Sequence, residues 1–264
     1  MTQGIAEVPA FAPAAGAAPL PRMIAAQARL ETRTLLRNGE QLLLTLVIPL
    51  LLLVAFGLEP LLNLNTGMKR IDFLTPGIIA LAVMSTAFTS QAIATGFERR
   101  YGVLKRLGAT PLSRGGLITA KTATVIAVEL LQGALILVVA LAIGWRPDAG
   151  PAAIVVVPLL ILLGAAAFSG LALLMAGTLR AEATLAGANL VYIVLLGVGG
   201  VVFPLTRFPA GARPVLELLP TGALSTGLRD VLQLGTAFPV KDAITLAVWA
   251  AVAITAAARM FRWE

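Results

Sequence analysis

Residues 98–121 read ERRYGVLKRLGATPLSRGGLITAK and lie between two runs of almost pure hydrocarbon. Five cations (Arg99, Arg100, Lys105, Arg106 and Arg114) crowd a place where a membrane hairpin would need only a turn. Short basic loops between spans stay on the cytoplasmic side. The stretch therefore sets the orientation of the spans around it, and its helix-forming residues are presented to something in the cytoplasm.

The surrounding composition is that of a membrane protein. Of 264 residues, 58% are hydrophobic and 12% charged, and the mean hydropathy is +0.92. A soluble domain carries about a quarter charged residues. Apolar runs long enough for a hydrocarbon core of about 30 Å recur along the chain, so an all-α, polytopic fold is expected. There is no histidine and no cysteine, which removes disulfides, thiolate or imidazole metal sites and the Ser-His-Asp and Cys-His nucleophile systems. The thirteen acids are scattered. The sequence has no GxxxxGK[ST] phosphate loop, so the chain is not expected to hydrolyse ATP itself. The net charge of +7 is read as loop orientation signal. No basic soluble domain is present to bind nucleic acid, and no nucleic-acid partner is expected.

Along the chain, residues 1–21 are rich in Ala and Pro and lack the charged start and apolar core of a signal peptide. A disordered cytoplasmic tail is expected. In residues 22–41, Arg22, Arg29, Arg33 and Arg37 recur at helical spacing beside Ile24, Ala28, Leu35 and Leu36, which suits an amphipathic interfacial helix. The remainder, 42–264, reads as one membrane domain of six spans at about 42–62, 73–97, 117–144, 152–177, 185–203 and 243–258. Pro49 is expected to kink the first, and Pro76 to open the second. With the N-terminus inside, thirteen of the twenty Lys and Arg fall on the cytoplasmic side and seven outside. Both termini are therefore expected in the cytoplasm. Residues 204–239 alternate breakers with short apolar helices. Thr221 is a candidate cap for a helix presenting Leu224, Leu228, Val231 and Leu232 and ending at Gly235. Neither piece can span, so a segment dipping into the outer leaflet is expected.

Glu98-Arg99-Arg100-Tyr101-Gly102-Val103-Leu104-Lys105-Arg106-Leu107, followed by Ala109-Thr110-Pro111-Leu112-Ser113, resembles the E-[RK]-x-x-G-[TV]-L-[KE]-x-L-x-x-[TS]-P-x-[SP] signature of type-2 ABC exporter permeases. Phe208-Pro209, Leu216, Leu219-Pro220 and Leu228-Arg229 are similar to that family's re-entrant segment before the last span. The resemblance extends over nearly the whole chain from Arg22. It implies an all-helical half-transporter that works as a dimer, with a second copy or a related permease. ATP and Mg would sit on separate nucleotide-binding subunits and not on this chain. A coupling helix at about 98–110 would dock on that ATPase through Glu98, Arg99, Arg100, Tyr101, Gly102, Leu104, Lys105, Arg106 and Leu107. The implied membrane is the inner one.

The residues support such a role. Tyr101, Leu104 and Leu107 form an apolar ridge at three-residue spacing, and the cations lie on other faces. Glu98 falls in what would be the first turn, where a helix favours negative charge, and Gly108 and Pro111 end it. The alternative is an orientation signal resting on anionic lipid.

Inside the hydrocarbon, Glu129 stands near the middle of the third span with Gln132 one turn along. A midplane charge costs about 2.5–3.5 kcal/mol. Glu129 therefore lines a pathway, or it makes a buried hydrogen bond through Gln132, Asn189 or Tyr192. Gln91 joins these as a candidate pathway residue, within a second span rich in small polar groups whose ordinary use is close packing. At the outer edge Phe208, Pro209, Leu219, Pro220 and Arg229 form a candidate gate. The charges there (Arg207, Arg213, Glu217, Arg229, Asp230) otherwise make a solvated rim. The expected function is export of a hydrophobic or amphipathic molecule, such as a drug, lipid or lipid-linked glycan. The rivals are a gradient-driven carrier, which would want more ionisable residues and repeated halves, and a non-transporting scaffold.

Overall fold

The computed structural model describes residues 17–39, 43–58 and 68–260, without the side chains of Leu44 and Arg114. Most of the expected N-terminal tail, the junction at 40–42, the far part of the first expected span and residues 261–264 lie outside the described residues. The fold is all-helical. In chain order it comprises α1 (Leu20–Arg37), α2 (Ile48–Leu58, entered through a π turn at Leu43–Val47), α3 (Arg70–Arg100) and α4 (Val103–Gly108). Then follow α5 (Arg114–Ala142), α6 (Ala153–Thr178), α7 (Ala181–Val198), α8 (Arg213–Glu217), α9 (Pro220–Gln233) and α10 (Val240–Met260).

Five of these, α3, α5, α6, α7 and α10, are long and apolar enough to cross a membrane. The first expected span is represented by a shorter apolar helix, Thr45–Leu58. Pro49 is buried immediately after the π turn, so the irregularity lies in the turn before the proline. The second span begins earlier than expected, at Arg70, which puts Pro76 inside the helix and not at its opening. Here the local signal of proline yields to tertiary packing, since Ile71 and Phe73 to Ile78 are all buried.

Helix α3 is the axle of the bundle. Of its most apolar stretch 89% is buried, against 28–39% in the other four long helices. It packs against α2, α5, α6 and α9. Leu74, Ile78, Leu81 and Met84 are fully enclosed at helical spacing. Lipid tails are as apolar as these side chains, so close van der Waals fit must hold the helices together. Small residues permit it. A Cβ at Gly170 of α6 would lie 2.8 Å from Ala253 Cβ of α10, and one at Gly77 of α3 would lie 2.5 Å from the Val201 carbonyl oxygen. Hydroxyls within the helices return a bond one turn back, as Thr75 does to the Ile71 carbonyl at 2.8 Å and Thr245 to Lys241 at 2.8 Å. No backbone acceptor outside the helix is then required.

The two ends of the bundle are built differently. At one end lie α1, α4 and the α6–α7 link. At the other, the α5–α6 loop meets α9, with the Asp148 amide donating to the Leu232 carbonyl at 2.9 Å.

Candidate functional site

The basic end is organised by a single glycine. Helix α3 runs through Glu98, Arg99 and Arg100 and stops where Gly102 takes φ 69°, a left-handed conformation that glycine adopts without steric cost. The chain re-enters a helix at Val103 and leaves it at Gly108. Two sequence expectations change here. Glu98 is not in the first turn of a helix spanning 98–110 but in the last turn of α3, and its charge is held by Lys121 Nζ at 2.7 Å. The Tyr101-Leu104-Leu107 ridge is also not a presented surface. Leu104 is buried at 3% exposure and anchors α4 to the body, while Tyr101 is exposed and Leu107 half-buried. The face turned outward carries Tyr101, Lys105 and Arg106.

Arg99 and Arg100 are both engaged by the α6–α7 region of the same chain, Arg100 at the exposed surface. Arg99 donates to the carbonyl of Gly177 at 2.7 Å and to that of Leu179, satisfying carbonyls left over at the end of α6. Arg100 pairs with Glu182 in the first turn of α7 and lies 5.8 Å from the Tyr101 ring centroid. Tyr101 in turn stacks on Phe97, with centroids 5.9 Å apart. The start of α5 is capped by Ser113, whose Oγ accepts from the Gly116 amide at 3.1 Å. The short helix is thus tied to α3 covalently and to the α6–α7 link through two arginines.

Sequence reasoning missed the residue that joins this site to the N-terminal helix. Lys121 is buried, and its ammonium bonds Glu98 of α3 and lies 3.5 Å from Glu31 of α1. One lysine therefore bridges three helices. Thr124, one turn along α5, donates toward the Ala28 carbonyl of α1 at 3.2 Å and the Ala120 carbonyl at 3.1 Å. The available signal was charge balance: Glu31 and Glu98 are acids within otherwise basic segments.

The pairing of Glu98 with Lys121 fixes the antiparallel register of α3 and α5, and Thr86 with Gln132 continues it. Gln132 Oε1 accepts from Thr86 Oγ1 at 2.7 Å, and its Nε2 donates to the Thr45 carbonyl within the π turn before α2. Gln132 is thus occupied by α2 and α3 and is not the partner proposed for Glu129. Glu129 is buried, and its Oε1 has no hydrogen-bond partner among the described residues; the same holds for Thr89 Oγ1, Ser90 Oγ and Gln91 Oε1. Tyr192 is buried with its hydroxyl beside Ser85, and Asn189 is half-buried on α7. Within α3, Ser85–Ser90 form a π segment that packs against α5, a local widening of the kind found at functional positions. Gln91, Glu129, Gln132 and Tyr192 are therefore all buried, and Asn189 is half-buried.

At the opposite end the expected solvated rim is partly corrected. Arg229 of α9 turns inward. Its Nε and Nη2 donate to the Phe73 carbonyl at 3.3 and 3.2 Å, and Nη2 also donates to Gly200 at 3.0 Å. Its guanidinium carbon sits 3.9 Å from the Phe73 ring centroid. Arg213 closes its own loop through the Phe208 and Thr206 carbonyls, at 2.8 and 2.6 Å. Burial raises the Asp230 carboxyl above its ordinary range, and the adjacent Arg229 pulls it back. Helix α9 starts at Pro220 with Leu219 as its cap residue, so Thr221 lies within the helix and points its hydroxyl at Met84 Sδ, 3.5 Å away. Gly235 has φ 64° just beyond the helix, as its expected stop requires. Pro220 is buried, Phe208 and Leu219 are half-buried and Pro209 is exposed.

The ABC-2 type transporter family matches residues 24–232, from α1 through α9. The chain belongs to that family. No individual curated protein matches it. The ABC-2 match covers a membrane transport domain with no ATPase domain within it. Permeases of this family pair with ABC ATPase subunits, and the apolar helices make this one a multi-pass membrane protein.

Proposed function

We propose that this ABC-2 permease is the membrane half of an exporter, driven by a separate ATPase that docks on α4. The observation carrying the reading is the contrast within residues 98–108. Arg99, Arg100 and Glu98 are spent on internal bonds, while Lys105, Arg106 and Tyr101 face outward from a helix anchored by Leu104. A cationic, aromatic tip on a fixed base suits an acidic-edged groove. ATP and Mg would be held by the partner. Closure of two such ATPases would push α4, and the push would reach α3 through the chain and α7 through the Arg100–Glu182 pair.

In this reading the basic end, with both termini, faces the cytoplasm across the inner membrane. The Thr45–Leu58 helix belongs to a sixth span, and α9 is a re-entrant plug on the outer side. A second permease copy or a related subunit completes the path. Gln91, Glu129, Gln132 and Tyr192, all buried, and the half-buried Asn189 would meet cargo only after the spans have moved. Phe208, Pro209, Leu219, Pro220 and Arg229 line the release side. A path walled by hydrocarbon with one buried carboxylate suits a hydrophobic or amphipathic cargo: a drug, a lipid or a lipid-linked glycan.

The test is reconstitution in proteoliposomes with the ATPase subunit, using a lipophilic cationic dye and a fluorescent short-chain lipid as probes. Export predicts movement of one probe that requires ATP and persists with a protonophore. Movement that ignores ATP and collapses with the proton gradient would establish the carrier reading instead.

A further inference from the structure

A groove of about 700 Å³ runs between α1 and α5, lined by Ala28, Arg29, Thr32, Arg33, Leu36, Arg37, Ala123 and Ala127. Arg29, Arg33 and Arg37 recur every four residues, so they form one stripe about 12 Å long on α1. All three are exposed. None makes a hydrogen bond or ion pair with another described residue. The nearby acids are engaged elsewhere: Glu31 accepts from Gln27 Nε2 at 2.8 Å and lies by Lys121, and Glu98 is bonded to Lys121. Three guanidinium groups thus border a groove whose own lining holds no carboxylate.

The opposite wall is different in kind. Ala123 and Ala127 leave a shallow track on α5, and the exposed face continues along the helix through Leu130, Leu137, Val138 and Leu141. This exposed apolar face belongs to a helix long and apolar enough to cross a membrane. The face begins where the arginine stripe lies, so a ligand filling both parts has a doubly liganded anionic head and a long apolar tail. Guanidinium forks bind phosphodiester oxygens in pairs, and basic pockets beside spans hold anionic lipid head groups.

We infer that this groove is a binding site for one anionic phospholipid of the surrounding leaflet, its phosphate on Arg29, Arg33 and Arg37 and its acyl chain along Ala127 and Leu130. The lipid wedges α1 against α5 beside the Glu31–Lys121–Glu98 bridge. Lipid composition would then bear on the stiffness of the basic end. The site does not depend on the direction of transport or on the docking role of α4.

The experiment uses the full-length protein purified in a neutral detergent. Binding of dioctanoyl-phosphatidylglycerol, dioctanoyl-phosphatidylcholine and inorganic phosphate is measured by native mass spectrometry and by ligand-dependent thermal shift. One phosphatidylglycerol should be retained, at least about tenfold more tightly than phosphatidylcholine, and weakened by added salt. The triple variant Arg29→Gln/Arg33→Gln/Arg37→Gln should lose that preference. Ala127→Trp fills the apolar track and keeps the charges; it should weaken phosphatidylglycerol while leaving any phosphate binding unchanged. Retention equal in the wild type and the triple variant would overturn the site. Inorganic phosphate binding as tightly as the lipid would also overturn it, as a soluble-anion site.

Discussion

Helices α4 and α9 each follow a break in the chain and restart close to it, at opposite ends of the bundle, yet they are packed in opposite ways. In α4 only Leu104 is buried, and a Cβ added at Gly102 or Gly108 would meet nothing within 4 Å. In α9, ten of fourteen residues are buried, and a Cβ at Gly222 would fall 2.1 Å from the Leu216 carbonyl oxygen. The supports around each differ too. Around α4 the fixing is ionic, through Arg99, Arg100, Glu98 and Lys121. Around α9 it is steric: Gly164 abuts Leu224, Gly199 abuts Thr221, and one inward arginine is added. A breaker-helix pattern therefore says where the chain turns but not whether the turn is presented or sealed. Neighbouring small residues and spent charges decide that.

The contrast can be broken by substitution, and the largest effect is expected at the ionic base. Lys121→Ala strands two carboxylates between three helices and should cost about 3 kcal/mol, read as unfolding in detergent by near-ultraviolet circular dichroism. The exposed Lys241–Glu217 pair at the other end is the control: Lys241→Ala should cost under about 1 kcal/mol. Equal losses would remove the distinction between the two ends. Next in size, Gly222→Ala should destabilise by about 2 kcal/mol through the backbone clash, while Gly108→Ala should leave the melting temperature unchanged or slightly raised. Gly102→Ala has space but a left-handed backbone, and about 1–2 kcal/mol is expected. If hydrogen exchange in α4 stayed as slow in that variant as in the wild type, Gly102 would not be the residue that organises the basic end. The smallest effect on stability, within about 0.5 kcal/mol, is expected for Lys105→Glu/Arg106→Glu, since neither side chain supports the fold.

Periodicity and hydropathy located the long helices, because a span of hydrocarbon needs the same residues wherever it packs. Their ends moved by a few residues, and in α3 by enough to enclose Pro76, because burial against α2 and α9 extends the helix past its local signals. The glycine, proline and charge pattern marks a break after the second span, but the helix expected at about 98–110 is shorter, Val103–Gly108, with Glu98 to Arg100 belonging to α3. Its orientation was not readable either. Helical spacing grouped Leu104 with Tyr101 but could not reveal that the break at Gly102 resets the helical phase between them. The rim alternative for Arg229 fails for a similar reason: an arginine beside Asp230 looks solvated until the carbonyls of Phe73 and Gly200 are known to face it. The sequence marks Glu129 as an acid within an apolar span, but its burial without a hydrogen-bond partner for Oε1 among the described residues is visible only in the packed bundle.

The central claim is that the outward cations of α4 are kept for an ATPase while the inner ones hold the fold. It is tested most directly by co-purifying the permease with its ATPase subunit and measuring ATP hydrolysis for Lys105→Glu/Arg106→Glu beside the wild type. The account predicts a normally folded variant that loses at least about tenfold in association and no longer stimulates hydrolysis. Wild-type association and stimulation in that variant would contradict it.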